Sequence, residues 1–434
     1  MRTHVETVPG MEFMEECGGI DCYRLVSNGL QVLLLPRRMA PVATCMITYR
    51  VGSRHERTGE TGATHFLEHM MFKGTEKYNR DRGTSVFNLL QSVGAQVNAT
   101  TWMDRTNYYA LLPREHVSTV IEVEADRMRG LLLREEDVAS EKTVILNEFD
   151  RGENEPFRKL YQAVWAAAFE AHTYHHATIG WRRDIEQVTA ARLRSFYDRY
   201  YWPENAVLSM IGDFDETNVL ADICRSFGSI GRGAEPLPDV HAVEPEQRGP
   251  RRVVVRMQGD VPILLMGWKA FPARDERSVA LELAAQILSG GRTTRLYRGL
   301  VKKGLATAQQ AIFTPLHDPG LFMIYASPGA GTPVEDVERA VDEELERLVT
   351  DGPGAEEMTR ALTGLEAAFA YSTDGSYSTA AALNEAIASG DWRRFATWLD
   401  VARSCTAEQI RLALADVIHL DRQTVGVFEP TGPS

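Results

Sequence analysis

The sequence predicts an α+β protein of two structurally similar domains, each a mostly antiparallel sheet with helices packed on one face. Three observations carry that expectation. At 434 residues the chain exceeds what one hydrophobic core usually organises. Near its midpoint, residues 231–250 hold Pro236, Pro238, Pro245 and Pro250 among charges, which suits an exposed linker and no packed helix or central strand. On either side, strand-like runs come first and helical patterns after them, the same order twice.

In the first half, runs 23–27 and 30–35 flank Asn28-Gly29, a two-residue turn signal, and predict a hairpin. A third strand spans 42–51 and stops at Gly52-Ser53. Helical spacing follows over 62–72 and 85–93, then strand patterns over 95–101 and 106–112. Helices are expected over 114–129 and 135–151, with more helix to about Tyr200. Residues 206–211 close the half as a strand ending at Gly212. The second half predicts strands at 252–257 and 263–268, a helix at 278–288, and strands at 306–313 and 321–326. Helices then fill 333–418, and 423–428 ends as a strand.

Composition narrows the function classes. Apolar residues make up 44% and charged residues 25%, a soluble globular profile. A net charge of −13 argues against nucleic acid as a partner. The first sixteen residues are polar and include Glu6, Glu12, Glu15 and Glu16, so no secretory signal is expected. The longest apolar runs fall well short of the roughly 20 residues that cross a bilayer, so no membrane span is expected. Five scattered cysteines suggest no disulfide framework and a cytoplasmic home.

The chemistry concentrates in Gly62-Ala63-Thr64-His65-Phe66-Leu67-Glu68-His69-Met70-Met71-Phe72. On a helix, His65 and His69 are four apart and project from one face, where both imidazoles reach a single ion. Glu68 stands beside that ion as a general base able to take a proton from water. This is the inverted His-x-x-Glu-His pattern of zinc peptidases. Three polar residues would otherwise interrupt a strongly apolar helix, which a purely structural helix does not favour.

Catalytic zinc takes three protein ligands, so one more must come from elsewhere. Glu141 and Glu148 lie seven apart on the helix expected over 135–151, two turns along one face, and both are candidates. Solvated surface charge is the competing reading of the same pair. His172-Thr173-Tyr174-His175-His176 lacks a carboxylate at ligand spacing and reads as a loop, not a second metal cluster.

The chain resembles the pitrilysin family of metallopeptidases, which includes insulin-degrading enzyme and the mitochondrial processing peptidases. The resemblance rests on Val51-Gly52-Ser53, Glu56, the stretch from Gly62 to Met70, and Phe72-Lys73-Gly74-Thr75. It continues through Asn98-Ala99-x-Thr101, Glu141-x-x-Val144-Ile145-x-x-Glu148, and Tyr200-Tyr201-x-Pro203-x-Asn205-Ala206 with Gly212-Asp213. Ser289-Gly290-Gly291 and Thr294-Arg295-Leu296-Tyr297 carry it into the second half. It implies that Glu148 is the third zinc ligand and that Glu141 supports the metal from beside it. It also implies that Asn98 and Ala99 sit on a strand edge where peptide substrate adds as an extra strand.

One departure stands out. Active single-chain members carry an Arg and a Tyr in the second half, and these positions fall at Leu300 or Val301 and at Thr307. The chain therefore resembles the short bacterial zinc-bearing subunit, working with a related second subunit or as a homodimer. On this reading residues 1–230 form the zinc-binding catalytic domain and 231–250 the linker. Residues 251–434 form a second homologous domain for substrate enclosure and dimer contacts. The expected activity is a zinc endopeptidase acting on unfolded or short peptides held between clam-like halves. A peptide-binding or assembly subunit without catalysis is the alternative.

Overall fold

The computed structural model describes residues 8–238, 240 and 242–432. The chain opens with strands β1 (Met11–Cys17), β2 (Ile20–Leu25), β3 (Gln31–Pro36) and β4 (Val42–Tyr49), then helices α1 (Ala63–Met70) and α2 (Val86–Ser92). Strands β5 (Gln96–Thr101) and β6 (Thr106–Pro113) precede helices α3 (Val117–Gly130), α4 (Glu135–Glu153) and α5 (Pro156–Ala168). Helices α6 (Arg182–Gln187) and α7 (Ala190–Tyr200), strand β7 (Ala206–Gly212) and helix α8 (Glu216–Phe227) complete the first half. The described residues of 231–250 form neither helix nor strand.

Strands β8 (Arg251–Gln258) and β9 (Ile263–Lys269) start the second half, followed by α9 (Arg277–Ser289), β10 (Ala306–Phe313) and β11 (Leu321–Pro328). Helices α10 (Val334–Asp351), α11 (Ala355–Ser372), α12 (Ser376–Ala388), α13 (Arg394–Ser404) and α14 (Ala407–Val417) lead to β12 (Gln423–Thr431). Two elements stand beyond those the sequence predicts. Strand β1 shows no buried alternation and is held by pairing to β2, with Phe13 edge-on to Tyr23 at 5.4 Å. Helix α8 does bear a signal: Asp215 caps it through the Asn218 N–H, and Val219, Leu220, Ile223 and Phe227 line its buried side.

The strands form two sheets, ordered β1-β2-β3-β7-β4-β6-β5 and β10-β11-β9-β12-β8. In each, the last strand of its half inserts between two earlier consecutive strands, parallel to one and antiparallel to the other. Thus β7 runs parallel to β3 and antiparallel to β4, as β12 runs parallel to β8 and antiparallel to β9. The run β3-β7-β4-β6-β5 repeats as β8-β12-β9-β11-β10, and the first sheet adds the β1-β2 hairpin. That shared order is the internal similarity expected from the sequence. Central β7 is buried at every position, as its apolar sequence requires.

Each sheet has one addition to the expected plan: its second face is covered as well. The first compact unit gathers the chain up to Glu148, Ala177 to the linker, and Ser372–Ala396; the second gathers Phe149–His176, Ala242–Tyr371 and the chain from Thr397 on. The sequence divides at the linker, whereas each unit also takes a helical segment from the opposite half. In the first unit α12 brings Ala380, Leu383 and Ile387 against Leu33, Met46 and Val207. Thr44 donates to Ser376 at 2.9 Å, and Thr48 donates to Asn384 at 2.8 Å. In the second unit α5 lies so close to β12 that a Cβ on Gly426 would stand 2.4 Å from the Val164 side chain. The other face of that sheet meets α9 and α10 through Leu283 and Val341, and α14 packs onto those two helices with Leu414. Among the described residues no helix is long and apolar enough to cross a membrane.

Candidate active site

Helix α1 carries the two histidines, and its start is fixed from several sides. Gly62 caps it at φ +83°, where a Cβ would lie 2.4 Å from the Ile179 carbonyl oxygen. Thr61 donates its hydroxyl to Asp184 at 2.6 Å and accepts the Trp181 N–H at 2.9 Å. Buried Glu56 accepts the Gly62 and Thr64 N–H groups, each at 2.8 Å. Burial pushes the Glu56 carboxyl up to about 8, against the two N–H groups that favour its charged form.

From that anchored start, His65 and His69 follow one turn apart with ring centroids 4.8 Å from each other. Glu148 approaches from α4. Its Oε2 lies 3.7 Å from His65 Nε2 and 3.7 Å from His69 Nε2. The three ligand atoms all fall within 4.8 Å of one another, and among the described residues this is the one such group. Ligands on a tetrahedral zinc at about 2.0–2.1 Å stand roughly 3.3 Å apart, so the two Glu148 separations need only a slight contraction to close on an ion. The donor set of two imidazoles and a carboxylate fits zinc, and the Glu148 side chain, 39% exposed, leaves a solvent-facing side.

Around this trio sit two carboxylates with different surroundings. Glu141 accepts a hydrogen bond from His69 Nδ1 at 2.8 Å, and Lys73 pairs with its other oxygen. Burial raises the Glu141 carboxyl, but the His69 hydrogen bond and Lys73 outweigh it and hold the group below its ordinary value. Burial lowers His69, and Glu141, with Glu68 and Glu148 beyond it, more than reverses this. Glu68 accepts the Thr101 hydroxyl at 2.5 Å. Burial raises the Glu68 carboxyl above its ordinary value, opposed by Thr101 and His69.

Strand β5 lies at the sheet's edge beside these groups. The Trp102 N–H bonds the Arg105 carbonyl at 2.9 Å, which sets the pairing parity of the β5-β6 hairpin. Asn98 and Thr100 therefore exchange their amide bonds with β6, and Val97, Ala99 and Thr101 turn theirs to the open edge. Alternation also separates the side chains. Ala99 and Thr101 face α1, whereas exposed Asn98 lies on the opposite face beside its cross-strand neighbour Tyr109, which meets Tyr377 of α12 at 4.5 Å. Arg105 ties the hairpin to α12 by donating to the Thr100 carbonyl and to Glu385.

The structure thus brings His65, His69, Glu148, Glu68 and Glu141 together on α1 and α4, with Ala99 on the adjacent edge. Thr101 and Lys73 are the contributors the sequence reading leaves without a role. Their signals were there: Thr101 lies two residues from Ala99 on one strand face, and Lys73 lies four after His69. In the second unit, Leu300 is wholly buried and the Thr307 hydroxyl donates to the Ser327 carbonyl at 3.3 Å. Neither position offers an arginine or a tyrosine. His172 is held by Asp318 at 3.1 Å and accepts the Tyr174 N–H, so the histidine-rich stretch is tied into its own fold.

Residues 31–180 match the insulinase model of peptidase family M16, and residues 187–365 match the peptidase M16 inactive domain. The chain belongs to the M16 peptidase family. Zinc protease PqqE of Helicobacter pylori is 29% identical to this M16 chain over 328 residues, covering 74% of it and 73% of the relative. An uncharacterized zinc protease of Bacillus subtilis, YmxG, is 25% identical over 352 residues, covering 81% and 84% respectively. A protease from Helicobacter pylori shares the fold at a TM-score of 0.89 and 25% identity, over 96% of this chain and 100% of that one. An M16-like peptidase from Alicyclobacillus acidocaldarius shares it at 0.81 and 23% identity, over 97% and 100%.

Proposed function

We propose that this M16 protein is a zinc endopeptidase for unfolded or short peptides, with His65, His69 and Glu148 as ligands and Glu68 as general base. The observation that carries the reading is the 3.7 Å approach of one Glu148 oxygen to both imidazole Nε2 atoms. Zinc held there supplies a Lewis acid and acidifies water. Glu68 would take the proton from the attacking water and return it to the leaving amine. Glu141 orients His69 from behind.

Peptide would bind by adding a strand to β5. The outward amides of Val97, Ala99 and Thr101 offer backbone pairing, which holds an extended peptide with little demand on its sequence. On this reading the contribution of Ala99 is its main chain, and Asn98 acts indirectly through the opposite sheet face.

Leu300 and Thr307 favour a partner. One missing oxyanion donor raises a barrier by about 3–4 kcal/mol. A related subunit that supplies an Arg-Tyr pair would restore it, and a homodimer is the competing assembly. The same two residues support a second reading, a zinc-bearing subunit that binds peptide without cutting it.

Hydrolysis of a quenched fluorescent peptide by the zinc-loaded protein, alone and with an M16 paralogue bearing the pair, tests both readings. Cleavage that disappears in Glu68→Gln supports the peptidase. Zinc binding with no cleavage in either mixture supports the second reading. Failure to bind zinc overturns both.

A further inference from the structure

We infer that Lys73 is a positioning residue for the metal centre, which fixes the Glu141 carboxylate so that His69 presents Nε2. This rests on the metal reading above and extends it to a residue outside the ligand set. Glu141 has two oxygens and each has one strong partner. Oε1 accepts from His69 Nδ1 at 2.8 Å, and Oε2 is paired with the Lys73 ammonium. A carboxylate is an acceptor only, so its contact with His69 requires the proton on Nδ1. In the neutral ring the Nε2 lone pair is then left facing Glu148, 3.7 Å away.

Lys73 makes this arrangement rigid. A carboxylate held through one oxygen can pivot about that contact, and Glu141 is only 7% exposed, so water gives little help to the other oxygen. With both oxygens engaged the carboxylate plane is set. Lys73 itself is placed by the turn after α1, where its N–H bonds the Met70 carbonyl at 2.9 Å. One short segment therefore supplies both a ligand, His69, and the clamp on the α4 carboxylate that orients it. The ammonium would repel a divalent cation if it stood alone. Paired with Glu141, it forms a neutral unit, and the orienting effect dominates.

Zinc affinity measured by competition with a chromophoric chelator, and the 15N signals of the His69 ring in metal-free protein, test the inference together. Lys73→Met keeps the aliphatic stem and removes the charge, and Lys73→Gln repeats the test with a polar neutral chain. Both should weaken zinc binding about tenfold, in the range of other outer-contact losses. Both should turn a single Nδ1–H form of His69 into a mixture of tautomers. Lys73→Arg should restore both properties, which a merely structural lesion would not allow.

Unchanged affinity and an unchanged ring in Lys73→Met and Lys73→Gln would overturn the role of Lys73 and leave the metal reading intact. A wild-type protein that binds no zinc would overturn the metal reading. The tautomer comparison then still decides for Lys73: a mixture supports its clamp on Glu141, and an unchanged ring removes it.

Discussion

Thr101 Oγ1 donates to Glu68 Oε2 at 2.5 Å, so the outermost strand of the first sheet touches the proposed general base directly. The bond favours the charged carboxylate and partly offsets the upward push of burial. Thr101→Val removes the donor at nearly constant volume. The Glu68 carboxyl should then rise further, and the acidic limb of the kcat/KM profile should move to higher pH. An acidic limb in the same place would show that this bond does not tune the base.

Replacing the base itself separates binding from chemistry. Glu68→Gln should retain one zinc per chain and lose about 10²–10⁴ in peptide turnover, the usual span for a general base. Metal analysis and single-turnover hydrolysis on the same preparation check both halves of the expectation.

Acid stability of the second unit should depend on Glu244. Its carboxylate accepts the N–H groups of Glu170, Ala171 and His172 and pairs with Lys269 at 2.7 Å. Burial alone would raise it, but Lys269 and the three N–H groups outweigh burial and bring it to about 2. The folded value lies below the unfolded value of about 4.3. Its stabilising effect is therefore complete above about pH 4.3 and lost as pH falls toward 2. Glu244→Gln should lower Tm at neutral pH and flatten its decline between pH 4.5 and 2. An equally steep decline in the variant would assign the acid sensitivity to other groups.

Glu56 should matter to folding more than to chemistry. Glu56→Ala leaves the buried Gly62 and Thr64 N–H groups without their acceptor, a loss of about 2–4 kcal/mol. Urea unfolding should show an earlier midpoint at a similar slope. A midpoint unchanged from wild type would mean that other contacts hold the start of α1.

Much of this was legible in the sequence, and the reasons differ by element. Periodicity placed α1, α4 and most strands because each buries one regular face, and the five-residue motif named three of the central side chains. Glu148 and Glu141 were indistinguishable as ligand candidates by spacing alone, since two turns put them on one face. What separates them is the tilt of α4 against α1, which sets Glu148 before both Nε2 atoms and Glu141 behind His69. Helices α5 and α12 were visible as helices, yet nothing local tells that each covers the sheet of the other half. That depends on matched surfaces far apart in the chain, such as Gly426 beneath Val164 and Thr48 against Asn384. Edge parity at β5 was equally hidden, because alternation in sequence reports side-chain faces and not the direction of the amides.

X-ray absorption at the zinc edge, on protein loaded with one equivalent of the metal, addresses the centre most directly. The account predicts a first shell of nitrogen and oxygen at about 2.0–2.1 Å with two imidazoles, one imidazole being lost in His69→Ala. A shell containing sulfur at about 2.3 Å, or metal removed by simple dialysis, would contradict it.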